Sequence, residues 1–287
     1  MDLDVGCSFL FNVPVATHAV MMIEPHSSGG EIVRDSKLQI IQDATLLASS
    51  TYVDSFGNNC RRTTFQPGPA EVRFLAQVEV SEDHDDSTVG AEPMAPYELP
   101  DDVLQFLLPS RYCESDQLAE LSWEKFGSIA PGCARVQGIC DWVHDRLTFQ
   151  YGSSSPSNTA LSVLDQGVGV CRDFTHLGIA LCRTFNMPAR YVFGYLPDIG
   201  VPDLGAPMDF AAWMEVFLGG RWFTFDPRNN ERRIGRVVIG RGRDAADVAM
   251  VTSFGPIELV DMTVRAEVGS GTSWNDPTRL GRLELPG

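Results

Sequence analysis

One cysteine of seven stands apart by its surroundings. In GVGVCRDFTH (167–176), glycines 167 and 169 precede Cys171, and an Arg-Asp pair follows it. The run CRDFTHLGIALCRTFNMP has helical spacing, with Cys171 at its start and Pro188 past its end. A thiol in the first turn of a helix meets unpaired N–H groups and the positive end of the dipole. Both lower its pKa, and the same groups can receive an oxyanion. The chemistry this suggests is nucleophilic attack on a carbonyl, with the two glycines leaving room for a substrate beside the sulfur. The plainer reading is a buried structural cysteine, since a free cysteine often fills core.

Forty residues on, PMDFAAWMEVFLGGRWFTFDP (207–227) reads as a hairpin. With Gly219-Gly220 as the turn, Leu218 opposes Arg221 and Asp226 falls opposite Trp213. Position 211 then lies diagonal to Asp226 on one face, roughly 7–8 Å away between Cα atoms. A histidine there could donate Nδ1–H to Asp226 and turn Nε2 toward the thiolate. Residues 211, Trp213, Glu215 and Asp226 would form the site face, with Ala212, Met214, Val216 and Leu218 in the core. The residue at 211 is alanine.

The combination GVGVCRDFTHLGIALCR, MPARYVFGYL and MDFAAWMEVFLGGRWFTFDPRNN resembles the bacterial transglutaminase-like superfamily, whose core is papain-like. The resemblance runs from about residue 101 to 287, and DSFGNNCRR before it is similar to that family's small β-rich N-terminal domain. It implies a Cys opening a helix, a His before Ala-Trp on one strand, and an Asp ending the next. Cys171, Asp226 and Ala212-Trp213 match, whereas the histidine position is Ala211. The catalytic set implied is therefore Cys171, position 211 and Asp226, with Trp213, Asp209, Arg172 and Asn229 as candidate substrate contacts.

Alanine cannot take a proton from a thiol, so three readings of Ala211 stand: a deliberate substitution, a natural divergence that keeps the pocket, or another histidine in service. His176 lies five residues after Cys171, about 140° around the same helix, so the two side chains diverge. His144 reads as a packing or hydrogen-bonding residue, and His18, His26 and His84 lie in or beside the N-terminal domain. Asn229 and Asn230 cannot act as bases near neutral pH. Arg172-Asp173 reads first as a helix cap. The loop YLPDIGVPDLGAPMDF (195–210) would flank the pocket and select substrate. RRIGRVVIGRGRD (232–244) holds five arginines; they either pair with nearby carboxylates or receive an acidic, carrier-linked acyl group.

The elements that must position these residues divide into two. Residues 1–100 are rich in short strand patterns separated by HSSGG, DSFGNN and QPGP, an antiparallel β-sandwich signal. Residues 82–102, acidic and with three prolines, read as a linker. From 101 to 287 helical patterns (DDVLQFLLPSRYC, DQLAELSWEKFGSI, CARVQGICDWVHDRLTF) precede strand patterns that end with IELVDMTVRAEV. The fold class is α+β: a sandwich followed by a papain-like, transglutaminase-like domain.

With 22 basic against 38 acidic residues, the net charge of −16 disfavours nucleic acid as a partner. No stretch approaches the ~18 apolar residues of a membrane span, and the start lacks the basic region of a signal peptide. Seven cysteines without a CxxC pair fit reduced thiols in the cytoplasm. No metal or organic cofactor is expected. The expected function is acyl transfer through a Cys171 acyl-enzyme, on an amide, peptide or thioester substrate; the alternative is a non-catalytic peptide- or acyl-binding protein.

Overall fold

The computed structural model describes residues 1–26, 32–86, 90–202 and 207–269. The N-terminal part is built of β1 (Asp2–Val13), β2 (Thr17–Met21), β3 (Ile32–Gln42), β4 (Thr45–Leu46), β5 (Ser49–Val53), β6 (Asn59–Phe65) and β7 (Gly68–Glu79). Then come helices α1 (Ala119–Phe126) and α2 (Cys133–Arg146), strand β8 (Thr148–Phe149), helix α3 (Ala160–Gln166), strand β9 (Val168–Gly169) and helix α4 (Cys171–Arg183). Strands β10 (Ala189–Tyr195), β11 (Ala211–Leu218), β12 (Arg221–Phe225), β13 (Val237–Gly242), β14 (Val251–Ser253) and β15 (Glu258–Val268) complete the described chain.

Two sheets, ordered β15-β1-β7-β3-β4 and β14-β2-β6-β5, form the sandwich, while β12-β11-β10-β13 forms the sheet of the α+β part. The antiparallel α+β architecture expected from patterning is therefore present. Alternation sets the faces: along β7 every second residue from Ala70 to Val78 is buried. Strand β3 escapes pattern reading because IVRDSKLQIIQ is mostly exposed and its register shifts between Arg34 and Ser36.

Two expectations are corrected by the pairing. IELVDMTVRAEV does not join the second domain's sheet: β15 pairs with β1 from Leu3↔Val268 to Asn12↔Glu258, and β14 pairs with β2. The C-terminal strands thus complete the N-terminal sheets, and a boundary drawn once at residue 101 leaves them on the wrong side. Asp85, Ala91 and Glu92 of the expected linker are also tied down rather than free. Ala91 O accepts from Cys133 N, Glu92 O from Gly219 N, and Asp85 meets Arg236 at 3.0 Å. DDVLQFLLPSRYC, expected to be helical, yields only a short 3₁₀ turn at Leu104–Leu107, because Pro100 and Pro109 bracket it.

Helix α4 is the axis of the second part. From Asp173 to Arg183 every residue is buried, so sequence amphipathicity gives way to contacts on all sides, chiefly with β11, α2, α3 and β10. At its far end the buried Arg183 guanidinium donates to the carbonyls of Leu108, Ala189 and Arg243, which staples the helix to three segments. The β11–β12 turn has the expected register, Leu218↔Arg221 through Met214↔Phe225. Its two central residues have φ of 56° and 88°, which glycine supplies without strain at Gly219 and Gly220.

Candidate active site

Cys171 occupies the first position of α4 and faces a cavity of about 330 Å³, half-buried at its edge. The helix start is capped from within. Asp173, fully buried, accepts from Val170 N at 2.9 Å and from Ser154 Oγ at 3.0 Å. Asp173 N and Phe174 N bond to Val170 O, which leaves the N–H groups of Cys171 and Arg172 without an intrahelical acceptor. The preceding glycines serve this cap rather than a substrate: Gly167 ends α3 at φ 72°, and a Cβ at Gly169 would lie 2.8 Å from Asp173 Cβ.

The thiol itself is not activated. Burial pushes Cys171 up to about 11, and the Asp209 and Asp226 charges add to the rise. The Ala212 backbone N–H and the Arg228 charge oppose it without prevailing. The expected lowering by the helix terminus is thus overturned by desolvation and two carboxylates. The sulfur lies 3.9 Å from the Phe210 carbonyl oxygen, an acceptor for its proton.

Of the designated residues, the structure brings Cys171, Asp209, Ala211 and Asn229 to the cavity wall, together with Phe149, Tyr151, Asp198, Arg228 and Arg233. Asp226 lies one step past the β11–β12 ladder, level with Trp213. It is buried and already occupied. Its oxygens accept from Asn229 N at 2.9 Å, Asn229 Nδ2 at 2.8 Å, and Arg236 Nη2 at 3.0 Å.

Two other designated residues are not brought to the cavity wall. Trp213 is 1% exposed, packs with Val192 and Val238, and lies under the Arg236 guanidinium at 4.8 Å. Arg172 points the other way, over the Tyr112 ring at 5.2 Å, and donates to Ser155 O at 2.6 Å. Glu215, also expected on the site face, is buried between Arg190 and Arg241 at 2.6 and 3.0 Å. Burial alone would raise its pKa, yet the two guanidiniums outweigh that and hold it below the usual value. Of the expected site face of β11 only Ala211 lines the cavity, and Ala212, expected in the core, lines it too.

None of the five histidines lines the cavity. His176 is fully buried between Tyr112 and Tyr191, and its Nε2 accepts from Ala245 N at 3.1 Å. Burial, with Arg172 and Arg183 nearby, holds its pKa well below the ordinary value, so it is neutral. His144 Nδ1 bonds to Arg228 O at 2.9 Å, His18 to Thr64, His26 to Gly57 O, and His84 pairs with Ile234.

In the arginine run, Arg233, Arg236, Arg241 and Arg243 pair with Asp198, Asp85 and Asp226, Glu215, and Asp247 respectively. Residues 196, 198 and 207–210 of the expected selectivity loop line the cavity, and 203–206 lie outside the described residues. Sequence reading passed over Arg228, although it sits in the quoted DPRNN. Phe149 and Tyr151 reach the cavity only through the β8–β9 pairing, which two-residue strands do not announce. Among the described residues no helix is long and apolar enough to cross a membrane.

Residues 124–227 match the family model of the transglutaminase-like superfamily. The chain is 32% identical over 117 residues to an uncharacterized protein of Mycobacterium leprae, covering 40% of this chain and 42% of that one. It is 33% identical over 143 residues to an uncharacterized protein of Mycobacterium tuberculosis (strain H37Rv), covering 47% and 46%. The matched part spans less than half the length of these curated relatives. Among solved structures, a "putative cysteine protease" from Cytophaga hutchinsonii superposes with a TM-score of 0.83 at 28% identity, over 96% of this chain and 94% of that one. A cysteine at the head of a buried helix, an antiparallel sheet against it and an aspartate past the second strand thus coincide with the matched segment: residues 124–227 are similar to a transglutaminase-like core.

Proposed function

We propose that the cavity beside Cys171 is a cysteine acyl-transfer site that takes activated acyl donors, thioesters or esters, in preference to peptide amides. The observation that carries this is the position of the Cys171 sulfur at the cavity wall with no imidazole beside it. An amide's leaving amine must be protonated as the tetrahedral intermediate collapses, and among the described cavity residues there is no imidazole to do so. A thioester needs no such proton, because the thiolate leaves as it is.

In the proposed cycle the Cys171 sulfur bonds to the donor carbonyl carbon as its proton passes to solvent. The oxyanion meets the free N–H groups of Cys171 and Arg172. Collapse breaks the donor C–S bond, expels its thiolate, and leaves an acyl-enzyme for water or an amine to resolve. Asp226 would have oriented a histidine at 211; with Ala211 in that place the cycle is slow. Seven free thiols favour a reducing, cytoplasmic setting for this chemistry.

A second reading, a binding protein that holds a peptide or acyl ligand, is favoured by the saturation of Asp226 by Arg236 and Asn229. Intact-mass measurement after incubation with a simple acyl thioester separates the two. Acylation that maps to Cys171 and vanishes in Cys171→Ala supports transfer. An unmodified cysteine after prolonged incubation, in a protein that still binds the donor, leaves only the binding reading.

A further inference from the structure

Arg228 lines the cavity with Cys171, half-buried, and among the described residues no carboxylate pairs with it. The cavity's other arginine, Arg233, is taken by Asp198 at 3.0 Å. Arg228 is held in place from several sides. Its guanidinium lies over the Phe149 ring, 4.4 Å from the centroid, and its Nη1 donates to Asn229 Oδ1. Its backbone N donates to Asp226 Oδ1 at 3.2 Å, and its carbonyl accepts from His144 Nδ1 at 2.9 Å. Asn229 is itself oriented by Asp226, through Nδ2 at 2.8 Å. The aspartate that would orient a histidine in a Cys-His-Asp arrangement here orients, through Asn229, a cation.

Resting on the acyl-transfer reading above, we propose that Arg228 selects the donor: it takes a carboxylate at the far end of a short acyl chain, so the substrates of this site are activated half-esters or half-thioesters of dicarboxylic acids. A planar guanidinium steadied on a ring face matches a carboxylate in two parallel hydrogen bonds and loses little freedom on binding it. The cavity, about 330 Å³, suits a chain of a few carbons rather than a long lipid tail. Asp209, also on the wall, accepts from Phe210 N at 2.7 Å and repels an anion placed near it. The acid end of the donor is thereby directed to Arg228.

Iodoacetate and iodoacetamide alkylate the same sulfur and differ in one charge. The ratio of their rates at Cys171, followed by peptide mass mapping, therefore reads anion preference and cancels the intrinsic reactivity of the thiol. Arg228→Gln is expected to lower the iodoacetate-to-iodoacetamide ratio by about tenfold or more. An unchanged ratio in a folded variant overturns the proposal. Should Arg228→Gln fail to fold, the unaltered protein decides: glutarate is expected to protect Cys171 from iodoacetamide at concentrations where glutaramide does not, and equal protection overturns it. Acylation by butyryl and glutaryl thioesters at equal rates sinks this inference alone. Absence of acylation by any thioester sinks the acyl-transfer reading, while the alkylation ratio still reports on Arg228.

Discussion

Arg236 Nη2 donates to Asp226 Oδ2 at 3.0 Å, so the carboxylate that follows β12 carries its counter-charge without any histidine. The same guanidinium covers Trp213 and reaches Asp85 at 3.0 Å, which links Asp85 to Asp226. Asp226 is thus a structural node as much as a candidate catalytic group. Its buried pair with Arg236 makes removal of either partner costly.

Ala211→His is expected to speed acylation of Cys171 by an activated ester. A general base typically contributes ~10²–10⁴-fold, and the lower end is expected because Asp226 is already engaged by Arg236 and Asn229. Stopped-flow acylation of Ala211→His against Ala211→His/Asp226→Asn checks this. A gain that survives loss of Asp226 would mean that the new imidazole works without it.

Alkylation of Cys171 by iodoacetamide is expected to rise about tenfold per pH unit from neutrality upward, bending only near the thiol's pKa of about 11. A histidine-paired thiolate would instead be largely pH-independent across this range. Rates at stepped pH, mapped to the Cys171 peptide, decide between them. A plateau near neutral pH would contradict the desolvated thiol described here.

Burial pushes Cys7, Cys113 and Cys182 up to about 12, and Cys171 to about 11. Each folded value lies above the ordinary value of about 8.5, so the unfolded chain gives up these protons first. Their contribution to stability is complete below about pH 8.5 and is lost as pH rises toward about 12. Thermal unfolding followed by circular dichroism should give a Tm independent of these thiols at neutral pH and falling in the alkaline range. Replacing Cys113 with alanine should make that alkaline slope shallower.

Glu215 sits between Arg190 and Arg241 in the buried face of β11. Glu215→Ala would leave two guanidiniums without their shared carboxylate, at a cost of about 3–5 kcal/mol. Glu215→Gln should cost less, since it keeps an acceptor. Urea unfolding of both variants tests the order, and a neutral alanine substitution would show that the arginines find other partners.

Residues 1–100 expressed alone are expected not to form the sandwich, because β1 would lose β15 and β2 would lose β14. The exposed β1 edge invites aggregation. Dispersed amide resonances from that fragment would show that the C-terminal strands are dispensable. Truncation after residue 250 in the full chain should give the same loss.

Much of the architecture was legible in local pattern. Helical periodicity marks α1, α2 and α4; β-rich runs bounded by turn residues mark β1 and β7; and the Gly-Gly turn sets the β11–β12 register, since each depends on neighbours in sequence. The same local signals place Cys171 at a helix start and Asp226 past the strand that follows the turn. Only the tertiary structure decided what those residues experience. That β15 pairs with β1 is a contact between chain ends, set by which sheet edge is open. That Cys171 is pushed up rather than down follows from burial and from Asp209 and Asp226, charges that periodicity does not bring together. Trp213 and Arg172 are turned from the cavity, and Arg228 into it, by ring faces and carboxylates distant in sequence. Strand and helix periods report which residues share a face, whereas pKa and access depend on what the rest of the fold lays against that face.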